Sequence, residues 1–145
     1  MSKKILIFGG ESDIATAVKD LNPDTIQISY AQCDIRNSEQ IKKCLIEHSP
    51  DVVVNCAGVS NVQLVKDSSI DEWIQEIDVN LIGSYRIARE CANLDIKTMI
   101  FLASVAGKYG KPEHSGYCAS KCGTISLVQS LAFEGYDSFA ISPGR

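Results

Sequence analysis

Short apolar runs alternate with stretches in which apolar residues recur every three or four positions, and this alternation runs the length of the chain. Lys4 to Phe8 reads as a first strand, Asp13 to Leu21 as a short helix stopped by Asn22-Pro23, and Thr25 to Ser29 as a second strand. The segment Tyr30 to Arg36 leads almost at once into a helix capped by Asn37 or Ser38 that runs to His48, itself a C-terminal cap. Asp51 to Asn55 is the next strand. One long helix is predicted from about Ile70 to Ala92, capped by Ser69, with Ile70, Trp73, Ile74, Ile77, Leu81 and Ala88 as its buried stripe. Lys97 to Ala103 is a buried strand, a further helix opens at Ser115 or Gly116 and runs to about Glu134, and Phe139 to Ile141 forms the last strand. Strands alternating with helices predict an α/β fold, a three-layer doubly wound parallel sheet.

Composition narrows the class. A chain of 145 residues fits one domain with a real core, and 45% hydrophobic with 22% charged residues is ordinary for a soluble globular protein. No apolar run approaches a membrane span, and four apolar residues after Met-Ser-Lys-Lys are too few for a secretory leader, so a cytoplasmic location is expected. A net charge of -4 with no basic cluster argues against nucleic acid or an anionic membrane as partner. The six cysteines, Cys33, Cys44, Cys56, Cys91, Cys118 and Cys122, form no Cys-x-x-Cys and read as small buried apolar residues. No spacing of His, Cys, Asp or Glu suggests a metal site.

The chemistry concentrates between Ser104 and Lys121. On a helix opened by Ser115 or Gly116, Tyr117 and Lys121 stand at i and i+4, one turn apart on one face. An ammonium beside a phenol favours the phenolate, which makes the pair a general acid/base device. Ser104 ends an apolar strand, so its hydroxyl belongs at the carboxyl edge of the sheet, where open α/β folds bind ligands. Another ligand-binding feature is the turn Gly9-Gly-Glu-Ser-Asp-Ile-Ala15, between a strand and a helix, where a pyrophosphate would meet backbone N–H groups and the positive helix end. His114 and Glu113 lie in the loop between Ser104 and Tyr117, where a solvent-facing histidine is the expectation and one that touches a ligand the alternative.

With Ser104, Tyr117 and Lys121 in this order and separation, the chain resembles the short-chain dehydrogenase/reductase family over nearly its whole length. That resemblance implies a single NAD(P)-binding Rossmann domain over residues 1–145, with a shortened second βαβ unit because no helix fits between the second strand and Asp34. It assigns catalysis to Tyr117, Lys121, Ser104 and Asn80. It assigns cofactor contacts to Gly9, Gly10, Ser12, Asp13, Ile14, Asp34, Ile35, Asn55, Ala57, Gly58, Pro143 and Gly144, as well as Tyr117 and Lys121. Only Gly9 keeps the family's glycine register, since Asp13 and Ala15 stand at its second and third glycine positions.

The implied reaction interconverts a secondary alcohol and a ketone, with NAD or NADP as cofactor. NAD is favoured because Glu11 and Asp13 make the turn acidic. The family's small-molecule chemistry, and its homo-oligomers built through two long helices, are the implied partners. A nucleotide-sugar epimerase or dehydratase and a non-catalytic dinucleotide-binding protein are the alternatives. Because the sequence ends at Arg145, just after Pro143-Gly144, a truncated protein with an exposed sheet edge is expected.

Overall fold

A computed structural model gives the structure of residues 2–143. Five parallel strands, β1 Ile5–Phe8, β2 Ile26–Ile28, β3 Val52–Asn55, β4 Thr98–Leu102 and β5 Asp137–Ile141, lie in the order β2-β1-β3-β4-β5. The helices are α1 Asp13–Leu21, α2 Ser38–His48, α3 Ile70–Ile77, α4 Gly83–Asn93 and α5 Ser115–Phe133. β1 and β3 are near-continuous apolar runs because both their faces are covered, and they pair in register from Ile5 with Val52 to Phe8 with Asn55. Leu6, Phe8, Val53, Met99 and Phe101 pack under Ile41, Leu45, Ile87, Cys91, Val128 and Leu131 of α2, α4 and α5. On the other face Ile7, Val52 and Val54 pack with Ala15 of α1, and the methyl of Ala15, wholly buried, permits the close helix approach the turn requires.

β2 is a three-residue edge strand, and the chain passes from it through Tyr30 to Arg36 directly into α2, which returns to β3 on the far side of β1. The second βαβ unit is therefore shortened, as the sequence predicts. Asn37 caps α2 by accepting from the N–H groups of Glu39 and Gln40. The helix closes on Ser49 in the left-handed region, φ 43°, rather than on the His48 side chain, and His48 offers its carbonyl to Lys4 Nζ.

The expected long helix is interrupted. Asp78–Ile82 forms a π turn between α3 and α4, so an extra residue enters the helical repeat at Asn80. The expected stripe fails with it. Ile70 and Ile74 are 68% and 53% exposed, Trp73, Ile77 and Leu81 are half-buried, and of the six only Ala88 is buried. The side of α3 that faces the protein meets backbone N–H groups of the loop after β3, so it presents Glu76 and Asn80, and the inserted residue shifts the apolar face of α4 to Ile87, Ala88 and Cys91. Cysteine burial also departs from expectation, with Cys33, Cys44 and Cys91 buried, Cys56 and Cys118 half-buried, and Cys122 exposed. Among the described residues no helix is long and apolar enough to cross a membrane.

Gly9 joins the two central strands at their ligand-binding end. Its φ is +73°, and a side-chain carbon there would lie 2.7 Å from Ala57 Cα. Gly9→Ala combines left-handed strain with a backbone clash and is expected to destabilise the fold by at least about 2 kcal/mol, read as a lower urea midpoint with unchanged slope.

Candidate active site

Two turns at the carboxyl ends of β1 and β3 build the floor of a cleft of about 590 Å³. Ser12 caps α1 by accepting from Ala15 N at 3.1 Å, which leaves Asp13 exposed on the first helical turn and outside the cleft lining. Asn55 fixes the second turn, accepting from Ala57 N at 3.0 Å and donating to Ser84 Oγ at 3.1 Å. Gly9, Ser12, Ala57 and Gly58 line the inner part of the cleft, and Asp34 and Ile35 line its outer part with Tyr30 and Arg36. Asp34 is engaged by its neighbour. Arg36 donates Nε to Oδ1 at 3.0 Å and Nη2 to Oδ2 at 2.7 Å, and this guanidinium holds the Asp34 carboxyl below the usual carboxylate range. Arg36 also donates to the Tyr30 hydroxyl at 3.0 Å. Glu11 sits at the end of β2, where its carboxylate accepts from Tyr30 N at 3.3 Å.

A second cleft of about 640 Å³ opens beside the first and is lined by Ser104, Tyr117 and Pro143 together with Ser60, Tyr109, Lys111 and His114. Ser104 leaves β4 in extended backbone and its hydroxyl accepts from Ala106 N at 3.1 Å. Lys121 lies beneath, 6% exposed, with Nζ donating to Leu102 O at 2.7 Å and standing 5.5 Å from the Tyr117 ring centroid. Burial pushes the Lys121 ammonium down to about 8. Gly58 makes room for this arrangement, because a side-chain carbon there would lie 3.3 Å from Asn80 Oδ1 and 3.6 Å from Lys121 Nζ.

Asn80 is saturated by protein contacts. Its Oδ1 accepts from Val59 N at 2.8 Å, and its Nδ2 donates to Val59 O at 2.8 Å and Ser120 Oγ at 3.1 Å. Its carbonyl accepts from Ser84 Oγ at 2.7 Å. Glu76, one turn earlier and 2% exposed, accepts from Asn61 N at 3.0 Å and lies against Gly116, next to Tyr117.

The structure thus brings Ser104 and Tyr117 to the wall of the second cleft, while Lys121 and Asn80 line neither cleft and stand behind Gly58, which lines the first. Gly10, Asp13, Ile14 and Asn55 do not line either: Gly10 packs on β2 through a hydrogen bond to Ile28 O, and Ile14 is on the surface of α1. Gly144 lies outside the described residues. The sequence reading missed Glu76, Ser84 and Ser120. Glu76 was detectable as the i−4 neighbour of Asn80, whereas nothing local marks Ser84 or Ser120. Among the described residues no group of three or more His, Cys, Asp or Glu stands close enough to hold a metal ion.

The sequence matches the short chain dehydrogenase family over residues 2–144. The chain belongs to that family. It is 34% identical over 116 residues to the human (3R)-3-hydroxyacyl-CoA dehydrogenase, covering 77% of this chain and 43% of the human one. To the 3-oxoacyl-(acyl-carrier-protein) reductase of Chlamydia muridarum it is 31% identical over 129 residues, covering 82% of this chain and 52% of that protein. The chain therefore spans about half the length of the curated relatives it matches. A 4-hydroxyisoleucine dehydrogenase, solved with NADH and succinate, superposes with a TM-score of 0.84 at 30% identity, over 97% of this chain and 78% of its own. The ligand-free aldohexose dehydrogenase of Thermoplasma acidophilum shares the fold, with a TM-score of 0.83 at 24% identity over 97% of this chain and 66% of its own.

Lys121 links the site to stability. Its ammonium binds protons less well in the folded chain, about 8 against 10.5, so the unfolded state holds more protons between these values and stability rises with pH across that window. Lys121→Met is expected to stabilise the chain at pH 7 by up to about 3 kcal/mol, an advantage that shrinks as pH rises from about 8 to about 10. Thermal melts at pH 7 and pH 10 measure it.

Proposed function

We propose that this chain is the cofactor-binding and catalytic unit, one domain, of an NAD(P)-dependent oxidoreductase that interconverts a secondary alcohol and a ketone. The observation that carries the reading is that Ser104 and Tyr117 share the wall of one cleft while the Lys121 ammonium stands between the Tyr117 ring and Gly58 of the other. The residues fit a dinucleotide. The backbone of Gly9 rests on the Ala57 turn with no side chain between, the N-terminus of α1 adjoins the cleft, and its volume falls in the range of ligand sites. Gly9 and Ser12 would hold the pyrophosphate, Ile35 and the Asp34–Arg36 pair the adenine end, and Gly58, Lys121 and Pro143 the nicotinamide end. When bound, the nicotinamide accepts or supplies the hydride.

The chain's own residues manage the proton. Ser104 orients the substrate oxygen with its hydroxyl, and Tyr117 takes or returns the proton of that oxygen. Lys121 places a positive charge beside the phenolate that forms, and its low solvation makes that charge more effective. Asn80 holds the Val59 loop and α5 in register, which sets the distance between the cofactor cleft and Tyr117. The relatives' names are those of dehydrogenases and reductases, which supports oxidoreduction over epimerisation.

NAD is the preferred cofactor in this reading, supported by the Glu11 carboxylate at the end of β2, which disfavours a 2′-phosphate there, and by the neutralisation of Arg36 by Asp34. We place the protein in the cytoplasm, acting on a small molecule without a nucleic-acid or membrane partner. A homo-oligomer through the α3–α4 helix pair and α5 would cover Ile74 of α3, Ile82 of the π turn and Tyr85 of α4, which are 53%, 40% and 53% exposed.

Tyr117→Phe keeps the ring and removes one hydroxyl, so turnover of secondary alcohols is expected to fall about 10²- to 10⁴-fold while cofactor affinity is retained. Near-normal turnover in this variant would overturn the mechanism. Calorimetric titration with both cofactors is expected to show NAD bound more tightly than NADP. The reverse order would show that Arg36 exchanges Asp34 for the 2′-phosphate.

A further inference from the structure

The second cleft has an uneven distribution of charge. Among the described residues Lys111 and His114 line it and no carboxylate does, in a chain whose net charge is -4. The nearest acid in sequence, Glu113, is turned away. Its backbone takes the left-handed region with φ 63°, a conformation that costs free energy for any residue with a side chain, and Glu113 instead borders the space occupied by Gln63, Glu72, Trp73 and Glu76. A hydrogen bond from Gln63 N to Glu113 O at 2.8 Å secures that backbone. The result is that His114 enters the cleft. Its Nδ1 donates to Pro112 O at 2.8 Å, since a carbonyl can only accept, and this leaves Nε2 open to a ligand, as an acceptor in the neutral ring and as a donor in the imidazolium. The imidazole stands edge-on to the Tyr117 ring, centroids 6.4 Å apart. A recognition group therefore lies beside the acid/base residue, and Lys111 stands further out on the same wall.

We propose that the substrate carries a carboxylate one or two carbons from the reacting carbon, bound by His114 and Lys111, so that the protein acts on short hydroxy acids and their oxo forms. This rests on the oxidoreductase reading for the identity of the cleft. In the oxidation the carbinol C–H and O–H bonds break, the hydride passes to NAD⁺, the proton passes to Tyr117, and the products are the oxo acid and NADH. A neutral alcohol would leave the Lys111 charge without a partner, whereas a carboxylate gains a charge-assisted hydrogen bond from the Lys111 ammonium and, with the ring as the doubly protonated imidazolium, a second from His114 Nε2. The αL strain at Glu113 keeps the one neighbouring anion off this wall.

The test is calorimetric titration of the NAD⁺-saturated protein, in which an oxo compound cannot be reduced, with acetoacetate and with methyl acetoacetate, which differ in the charge of one end. Acetoacetate is expected to bind at least about tenfold more tightly, and Lys111→Met and His114→Gln are each expected to reduce that preference about threefold or more. Lys66→Met, an exposed lysine outside the cleft, is expected to leave it unchanged. Equal affinities, binding of neither compound, or a preference indifferent to both variants would overturn the proposal. Oxidation of 3-hydroxybutyrate and 2-butanol, measured alongside, separates the two readings. Turnover of both at equal kcat/KM removes the carboxylate site and leaves the oxidoreductase. Preferential binding of acetoacetate without hydride transfer retains the site and removes the oxidoreductase.

Discussion

Burial of one ammonium at the carboxyl edge of the central sheet is the constraint on which the candidate site depends. Lys121 is almost fully desolvated and has one carbonyl, Leu102 O, as a hydrogen-bond acceptor. A charge in that position is unfavourable on its own account and persists only where surrounding structure holds it. Gly107 lies so close that a side-chain carbon would stand 2.8 Å from the Lys121 carbonyl carbon, and Gly58 leaves the space directly above Nζ. The free energy that tolerates this comes from elsewhere, from the fully buried β1 and β3 and the helices packed on them. Stability and chemistry are thus separated in space: the sheet centre supplies the first, and its carboxyl edge is where the second is concentrated.

The π turn is the second device. At the π turn the Gly83 N–H reaches back to Asp78 O, the Asn80 carbonyl accepts from the Ser84 hydroxyl one turn on, and the Asn80 amide spans from Val59 to Ser120. Together with Glu76 at the N-terminal end of α5, Asn80 ties three separate segments, the loop after β3, the α3–α4 helix pair and α5, into one frame around Tyr117. This is a polar frame in which each bond has a buried partner, and such networks define a single geometry more sharply than apolar packing does. The apolar residues displaced from the core by this arrangement lie on the surface of α3 and the π turn, at Ile70, Ile74 and Ile82.

Coverage of the two sheet faces is unequal. α2, α4 and α5 cover one face, and α1 alone covers the other, so Phe139 and Ile141 of β5 are 54% and 48% exposed although they alternate with the half-buried Ser138 and Ala140. Strand alternation alone would assign such residues to a core. Their exposure reflects what lies over the sheet rather than any property of the strand. The same reasoning applies to the clefts, whose walls come from loops that depend on strand order for their neighbours.

What the sequence by itself determined is the set of elements and the order of chemical groups along them. The apolar runs of β1, β3 and β4 and the cap at Asn37 follow from local periodicity and local hydrogen bonding, whereas Ser69 stands at the cap position of α3 without a side-chain bond to it, and the order of Ser104, Tyr117 and Lys121 carries the family resemblance. The tertiary structure alone decided which residues turn inward. Helical spacing pointed to Ile70 and Ile74 as core, yet the surface that α3 meets is a row of backbone N–H groups, so a carboxylate and an amide were buried in their place. Likewise Asp34 is one acidic residue in the sequence, and only the fold shows both of its oxygens held by Arg36. The reason is physical: periodicity records how apolar a position is, whereas burial depends on what approaches it from distant parts of the chain, and a polar partner arriving from elsewhere leaves no local trace.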